Sequence, residues 1–360
     1  MNEKENFNEL SRSNLKWAFC PICGTKIPEI ENIQFCIKCG VDLQYINTHM
    51  RMPPRKDVIS VSKPYTSKLT KPKRKRISED DLLNLEDKKL WGPGASIGIT
   101  MAAFALMNMV AFIGVFIFVF FLPSLEEIYN IIESPYFIIF SSFVELIFFI
   151  VPFLYVGKYL ERPNLNNRLV ILGFSKKGFK KFQLIKEIII GLVFAIIGVV
   201  LVFSVSIGIE MLTSLIFGSE VVSDILGTPS EVDMVILSSD AFSITLLVII
   251  MILIIGTSEE VLFRGFLQKG LVRSIGKPWG ILVTALIFAS IHLIGIFLFP
   301  GSMIIFVVSL LLNFFPYFAV SLLLGLLFYW RKENLVAVMI THGVYNALLV
   351  IIAFLTYSVF

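Results

Sequence analysis

Residues 242–268 read FSITLLVIIMILIIGTSEEVLFRGFLQ. This stretch is long and apolar enough for a helix that crosses a hydrocarbon core, which takes about 20 residues. It nevertheless contains two adjacent glutamates and an arginine, and ionisable groups inside a span are costly and mark functional sites. The segment therefore predicts an α-helical membrane protein and the place of its chemistry.

Six further apolar runs of comparable length lie outside this segment. They are 96–122, 137–157, 186–214, 279–298, 303–330 and 335–357. The run 303–330 is interrupted by Asn313 and Pro316, so it is either one long kinked span or a broken hairpin. The sequence thus predicts an all-α polytopic membrane protein with seven transmembrane helices, or eight if the hairpin forms. The 56% hydrophobic and 16% charged composition excludes an ordinary soluble domain.

Lysine and arginine concentrate in alternate connections between these runs. The basic connections are 71–76, 158–186, 269–277 and 331–332, whereas 123–136 and 215–241 carry acidic residues and no base. Basic loops face the cytoplasm, so we expect an integral protein of the cell membrane with a cytoplasmic N-terminus. The first residues lack an apolar signal-peptide region, so no cleaved signal is expected.

The polar N-terminal part contains two cysteine pairs. They are Cys20-Pro-Ile-Cys23 and Cys36-Ile-Lys-Cys39, and each is followed by a glycine. Four thiolates complete a tetrahedral Zn²⁺ site with no open position, which makes the metal structural. Two disulfides are the alternative, but a cytoplasmic placement disfavours them. We predict a zinc-ribbon-like domain over 1–48, with an accessory role towards an unidentified protein partner.

Residues 49–90 are predicted to form a basic linker and a juxtamembrane segment. The run KPKRKR at 71–76 resembles a nucleic-acid-binding patch. Because it lies beside a membrane span, we expect it to bind anionic membrane lipid, and no nucleic acid is expected. A short interfacial helix is expected from an N-cap at Ser78, with Trp91 at the level of the lipid headgroups.

The ionisable residues of 242–268 divide into a pair and a single group. Glu260 and Arg264 are four residues apart and are expected to pair on one helix face. Glu259 points about 100° away from that face, so it is expected to face a cavity and to hold a water or a proton. A packing salt bridge without catalytic meaning is the structural alternative.

Polar residues in other spans are placed to join this group. His292 and His342 lie at a depth similar to that of Glu259, and Asn346 shares a helix face with His342. Ordinary interior histidines are the alternative reading of both rings. Glu145 and Asn108 match no motif and are expected to make interior polar contacts only.

The ordered motifs Glu259-Glu260-x-x-x-Arg264, Phe288-x-x-x-His292 and His342-x-x-x-Asn346 resemble the CPBP family. These are the CAAX-protease and bacteriocin-processing (Abi) intramembrane proteases. The resemblance covers about 186–357 and includes every motif element. It implies that 91–360 is an intramembrane protease domain similar to type II CAAX prenyl endopeptidases.

The resemblance also implies a role for each motif residue. Glu259 and His292 would activate a water for peptide hydrolysis, and His342 with Asn346 would stabilise the oxyanion. Glu260 and Arg264 correspond to a supporting pair. A Glu/His/His set can also ligate Zn²⁺, so a catalytic metal stays open, although the paired Arg264 and the oxyanion roles favour a metal-free mechanism.

The sequence therefore predicts an intramembrane endopeptidase, a hydrolase acting on a lipidated or membrane-associated peptide or protein. A CaaX-type C-terminus, another membrane-bound peptide and a bacteriocin-type leader all fit. The first alternative is a non-catalytic membrane scaffold or self-immunity factor of the same family. The second is a transporter that uses the glutamate and histidines as a proton relay, which internal inverted repeats would favour.

Overall fold

The structure is a computed structural model. It describes residues 15, 17–28, 33–52, 77, 82, 90–121, 124, 127, 131, 134–174, 180–227, 231–298 and 301–359. The chain divides into two compact units, 1–75 and 76–360. The basic run 71–76 and most of the expected interfacial helix after Ser78 lie outside the described residues.

The first unit consists of two similar turns followed by a short helix. Each turn, called a knuckle, carries one cysteine pair, Cys20 with Cys23 or Cys36 with Cys39. Isolated antiparallel bridges join Phe19 to Lys26 in the first knuckle and Phe35 to Asp42 in the second. The glycines that follow the cysteine pairs, Gly24 and Gly40, have φ values of 65° and 69°, in the left-handed region that glycine tolerates. Helix α1 (Leu43–His49) starts at an Asp42 side chain that accepts a hydrogen bond from the Tyr45 amide.

The second unit is a helical bundle. In chain order it contains α2 (Pro93–Phe121), α3 (Pro135–Tyr159), α4 (Leu165–Leu172), α5 (Lys181–Phe217), α6 (Ser219–Leu226), α7 (Glu231–Leu237), α8 (Ala241–Ile275), α9 (Lys277–His292), α10 (Ile294–Leu298), α11 (Met303–Trp330) and α12 (Leu335–Val359). Six of these helices, α2, α3, α5, α8, α11 and α12, are long and apolar enough to cross a membrane, and α9 is a shorter apolar helix. The all-α membrane fold class is confirmed.

The run 303–330 is a single helix. Pro316 lies inside α11 without ending it, so the hairpin of the eight-span alternative does not form. The hydroxyl of Ser302 caps the helix by accepting from the Ile305 amide at 3.3 Å. Six of the seven apolar runs therefore correspond to one long helix each, and the run 279–298 is covered by the shorter α9 and the adjoining α10.

Helix α8, which carries the acidic pair, is irregular around that pair. It begins with a reciprocal capping box between Asp240 and Ser243. The hydrogen bond from the Ser243 backbone lowers the pKa of Asp240. The segments Met251–Ile255 and Val261–Gln268 are π-helical and flank the α-helical turn Gly256–Glu260. Such widened turns are frequent at functional sites.

Helices α8 and α12 meet backbone to backbone. A Cβ atom on Gly256 would lie 2.7 Å from the Gly343 nitrogen, and one on Gly343 would lie 2.6 Å from the Ile252 Cα. Only glycine permits this separation, as in other small-residue helix contacts within membranes. The contact lies one turn before Glu259 and next to His342, so it sets how close those two side chains come.

The basic connections share one end of the bundle. Lys269 pairs with Glu333 at 3.0 Å and donates to the Ile171 carbonyl at 3.1 Å. Arg331 of the last connection pairs with Glu187 near the start of α5. Burial opposes ionisation of Glu333, but attraction to Lys269 and Arg273 together with hydrogen bonds from Lys269 and Tyr329 lowers the pKa of Glu333. Which side of the membrane this end faces stays a prediction.

Trp91 packs inside the second unit, and its expected depth at the headgroups stays a prediction. Its side chain is only 2% exposed, and the indole stacks on Phe266 with ring centroids 4.8 Å apart. The indole N–H donates to the Phe266 carbonyl at 2.9 Å, and the Arg273 guanidinium lies 4.5 Å above the ring. Burying an indole requires a partner for its N–H, and the widened turn of α8 provides this carbonyl.

Candidate active site

Three helices bring a carboxylate and two imidazoles together inside the bundle. Glu259 comes from α8, His292 from the end of α9 and His342 from α12. The His292 Nε2 atom lies 3.8 Å from Glu259 Oε1, and the His342 Nε2 atom lies 3.6 Å from Glu259 Oε2. Glu259 and His342 are buried, and His292 is half-buried.

His292 presents an unprotonated nitrogen to Glu259 when its ring is neutral. Its Nδ1 atom lies 2.8 Å from the Phe288 carbonyl, which can only accept, so Nδ1 carries the proton. The ring lies between Phe288 and Tyr317, with centroid distances of 4.3 and 4.5 Å. The 3.8 Å separation from Glu259 exceeds a hydrogen bond, but one water can bridge it.

One carboxylate oxygen of Glu260 accepts hydrogen bonds from two side chains. Its Oε1 atom accepts from Arg264 Nη1 at 2.7 Å and from His342 Nδ1 at 2.7 Å. The pairing of Glu260 with Arg264 agrees with the spacing, but its bond to His342 is not visible in the sequence. Because Nδ1 is committed to Glu260, the Nε2 atom of His342 is the one that points to Glu259.

Arg264 is anchored on its other side by α11. Its Nη2 atom donates to the Ser321 carbonyl at 3.1 Å and to the Ser321 hydroxyl at 2.8 Å. The guanidinium also lies 5.0 Å from the centre of the Phe288 ring. Ser321 and Tyr317 were not identified from the sequence, and only the neighbouring Pro316 signalled that this part of α11 is unusual.

Four buried polar atoms of this cluster have no hydrogen-bond partner among the described residues. They are Ser258 Oγ, Glu259 Oε2, Glu260 Oε2 and Arg264 Nε. Buried polar groups are almost always satisfied in folded proteins, so such a concentration needs an explanation. These atoms would be satisfied if the cluster binds water or the amide group of a peptide.

Asn346 lies one turn after His342 on α12 and is half-buried. The hydrogen bonds and ion pairs of the described cluster do not include its side chain. Its role in binding an oxyanion with His342 therefore rests on the shared helix face and stays a prediction.

The four cysteines of the first unit form a separate site that can hold a metal ion. Their sulfur atoms all lie within 4.8 Å of one another, with 3.7 Å between Cys20 and Cys39 and 3.6 Å between Cys23 and Cys36. All four are free thiols, so the disulfide alternative does not form. The hydrogen bond to the Thr25 side chain lowers the pKa of Cys23 to about 6, which favours a thiolate.

Comparison with known proteins identifies the segment that carries the membrane site. Residues 241–348 match the family model described as Type II CAAX prenyl endopeptidase Rce1-like. This match confirms the family resemblance for that segment, which contains every motif residue from Glu259 to Asn346. No curated protein and no solved structure matched the chain. The chain therefore carries an Rce1-like CAAX protease domain at residues 241–348.

Proposed function

We propose that the protein is an intramembrane endopeptidase in which Glu259 and His292 activate a water for peptide hydrolysis. The observation that carries this proposal is the placement of the Glu259 carboxylate within 3.8 Å of imidazole nitrogens from two other helices. The Rce1-like match supports a protease-type function for the same segment. A scaffold needs neither buried carboxylate oxygens without partners nor this convergence.

The proposed reaction follows from the protonation of the two rings. A water held between Glu259 Oε1 and His292 Nε2 gives its proton to Glu259 while its oxygen attacks the carbonyl carbon. His342 binds the resulting oxyanion through Nε2–H together with the Asn346 amide. Since Nδ1 of His342 already donates to Glu260, a proton on Nε2 makes the ring an imidazolium, which the Glu260 carboxylate stabilises.

The same geometry supports a mechanism without a catalytic metal. Among the described residues, the only His, Cys, Asp or Glu atoms that converge within 4.8 Å in a group of three or more are the four cysteine sulfurs. Glu259 faces the two imidazoles, but the three groups do not converge this closely. Arg264, a fixed positive charge beside Glu260, also disfavours a cation in the same place.

The substrate class follows from the position of the site. Because Glu259 and His342 lie on helices long and apolar enough to cross a membrane, a scissile bond held in or at the membrane can reach them. We therefore propose a lipidated or membrane-associated peptide or protein as substrate, with the CaaX-type C-terminus as the first to test, and a site that opens towards the cytoplasm.

We also propose that the cysteine site holds one structural Zn²⁺. Tetrahedral zinc at about 2.3 Å from each sulfur places the sulfurs about 3.8 Å apart. The paired distances of 3.6 and 3.7 Å fit this requirement. All four positions are taken by protein, so this metal would stabilise the knuckles, which serve an accessory role towards a protein partner.

The test is cleavage of a membrane-anchored peptide by the purified protein in lipid nanodiscs. A prenylated peptide ending in a CaaX sequence is compared with its unprenylated form, and products are identified by mass spectrometry. Glu259→Gln should lower turnover about 10²–10⁴-fold without loss of folding. Asn313→Leu, which changes an exposed polar residue of α11, is the matched control and should leave turnover unchanged.

Two outcomes would overturn the proposal. Cleavage by a folded Glu259→Gln variant at the wild-type rate would remove the assigned base. Failure of the wild-type protein to cleave any membrane peptide would favour the non-catalytic scaffold. A chelator that stops cleavage by an active Cys36→Ala variant, which should lack the zinc of the four-cysteine site, would instead reject the metal-free mechanism.

A further inference from the structure

Besides Glu259 and Glu260, the helix bundle contains a carboxyl group with a buried oxygen, that of Glu145, which the proposed reaction does not use. Glu145 lies in α3, at the end of the 3₁₀ stretch Ser142–Glu145. Its side chain is half-buried, but its Oε2 atom is fully buried and has no hydrogen-bond partner among the described residues. A buried carboxyl oxygen without a partner in a lipid-spanning helix is a costly feature.

The packing of α3 on α8 brings this carboxyl to the level of Glu259. Ser142–Glu145 contacts Met251–Ile255, and Leu146–Val156 contacts Gly256–Glu260, so the two helices run parallel. One turn further along, the Phe148 ring packs edge-on against Phe263 at 6.4 Å. Because Glu145 precedes Phe148 and Glu259 precedes Phe263 by about one turn, parallel packing places the two glutamates within about one turn of each other on facing helices.

Glu145 and Glu259 interact electrostatically across this contact. Ionised Glu145 would place a second negative charge near Glu259 with no donor on its buried oxygen, so the arrangement favours a neutral Glu145 carboxyl group. Besides Glu259, the described charged groups on the packed α8 segment are Glu260 and Arg264, which pair with each other. Helix α2, which packs on the same part of α3, carries no titratable side chain.

The proton of these two carboxyl groups belongs on Glu145. In the proposed mechanism the Nε2–H of His342 faces Glu259 and stabilises its anion, whereas no described group donates to the buried oxygen of Glu145. Peptide hydrolysis also needs a proton donor, because the leaving nitrogen must gain a proton when the C–N bond breaks. The Nδ1 protons of His292 and His342 are already bonded to Phe288 and Glu260.

We propose that Glu145 is the general acid of this site and gives its proton to the leaving amine. This role rests on the proposed peptidase function. Water loses a proton to Glu259 and forms the C–O bond, and the C–N bond then breaks as the nitrogen takes the Glu145 proton. The products are a carboxylic acid and an amine, and the proton on Glu259 returns to Glu145 to complete the cycle.

A comparison of leaving groups tests this role. A peptide substrate and an ester analogue, in which oxygen replaces the scissile N–H, are hydrolysed by wild type, Glu145→Gln and Glu145→Asp. An alkoxide departs with much less help from an acid than an amide nitrogen does. Glu145→Gln should therefore lower peptide cleavage by about 10²-fold or more while lowering ester cleavage much less, and Glu145→Asp should restore part of the peptide activity.

The controls separate this proposal from a structural role and from the peptidase function itself. Glu259→Gln should lower cleavage of both substrates, because both need the activated water. Equal loss of peptide and ester cleavage in Glu145→Gln, or cleavage of the peptide at the wild-type rate, would overturn the proposal.

A measurement independent of activity addresses the proton. The infrared carbonyl band of a protonated carboxyl should be present in the wild-type protein at neutral pH and absent in Glu145→Gln. If the wild type cleaves nothing but this band is present, the peptidase function fails and the proton on Glu145 stands. If the band is the same in both proteins, the assignment to Glu145 fails whatever the activity.

Discussion

Glu260 shows how one buried side chain can serve stability and chemistry together. Its Oε1 atom accepts from both Arg264 and His342, and all three residues are almost fully buried. The carboxylate balances the guanidinium charge and at the same time orients the imidazole. In the proposed mechanism the Glu260–Arg264 pair therefore acts through the His342 ring that faces Glu259.

Glu260→Gln should lower both the stability of the protein and its turnover. A neutral amide leaves Arg264 as an uncompensated buried charge, and breaking a buried pair in this way costs about 3–5 kcal/mol. The Glu260→Gln substitution also weakens the hydrogen bond that orients the His342 ring. Any folded fraction should therefore show turnover lowered about 10²–10³-fold, as for loss of an oxyanion donor. Unfolding midpoints and cleavage rates in the same detergent measure both effects.

Glu259→Gln is the matched comparison for this variant. Glu259 makes no hydrogen bond among the described residues that holds another side chain, so its loss should leave the unfolding midpoint unchanged. An unfolding midpoint of Glu260→Gln equal to that of wild type would contradict the anchoring role.

Helix packing sets the separation of Glu259 and His342, two of the proposed reacting groups. Gly256 of α8 and Gly343 of α12 allow the two backbones to touch, three residues before Glu259 and one after His342. An added methyl group would lie within 3 Å of backbone atoms, which cannot move aside as a flexible side chain can. The helices must therefore separate if either glycine is enlarged.

Gly343→Ala should lower turnover with a smaller effect on expression. A displacement of about 1 Å between reacting groups costs about 10²-fold in rate, and we expect a loss of that order. Gly208→Ala is the matched control, since a Cβ there meets open space in a comparable membrane helix. Wild-type turnover in Gly343→Ala would show that this contact does not position the site.

The helices could be predicted from the sequence because apolar length and loop charge are local properties. The seven runs match seven helical regions, and the Glu260–Arg264 pair follows from its spacing alone. The bond from His342 to Glu260 depends on how α12 is rotated against α8, which no local pattern encodes. For the same reason Glu145 seemed an isolated polar residue, because its neighbours come from another helix.

We expect the knuckle element to depend on a bound metal for a fold of its own. Its buried apolar residues are few, and a unit this small needs a metal or another cross-link to be stable. The full-length protein should contain about one zinc per chain, which a single substitution such as Cys36→Ala should remove. Elemental analysis of the purified protein measures the content, and zinc retained in Cys36→Ala would contradict the four-cysteine site.

Zinc loss should leave the membrane reaction intact. The proposed mechanism uses no residue of the first unit, so Cys36→Ala and the wild type should cleave a membrane-anchored peptide at equal rates. A large fall in turnover on zinc loss would assign the knuckles a direct part in catalysis or substrate delivery.

At the scale of the whole molecule, charge separates the two ends of the bundle. Buried or half-buried ion pairs tie Lys269 to Glu333 and Arg331 to Glu187 at one end. At the opposite end Tyr357 donates to Asp233 in the acidic connection. Basic connections stay in the cytoplasm, so this asymmetry predicts the orientation of the protein, and with it the side from which substrates reach the site.

Cysteine labelling in intact cells tests this orientation. Thr228→Cys, in the acidic connection, should react with an impermeant thiol reagent, whereas Lys180→Cys and Lys332→Cys should react only after the cells are permeabilised. The parent protein gives the background of the four native cysteines. Labelling of Lys332→Cys but not of Thr228→Cys in intact cells would invert the topology. It would also place the knuckles outside the cytoplasm, where oxidation to disulfides competes with zinc, so orientation and metal content must be measured on the same preparation.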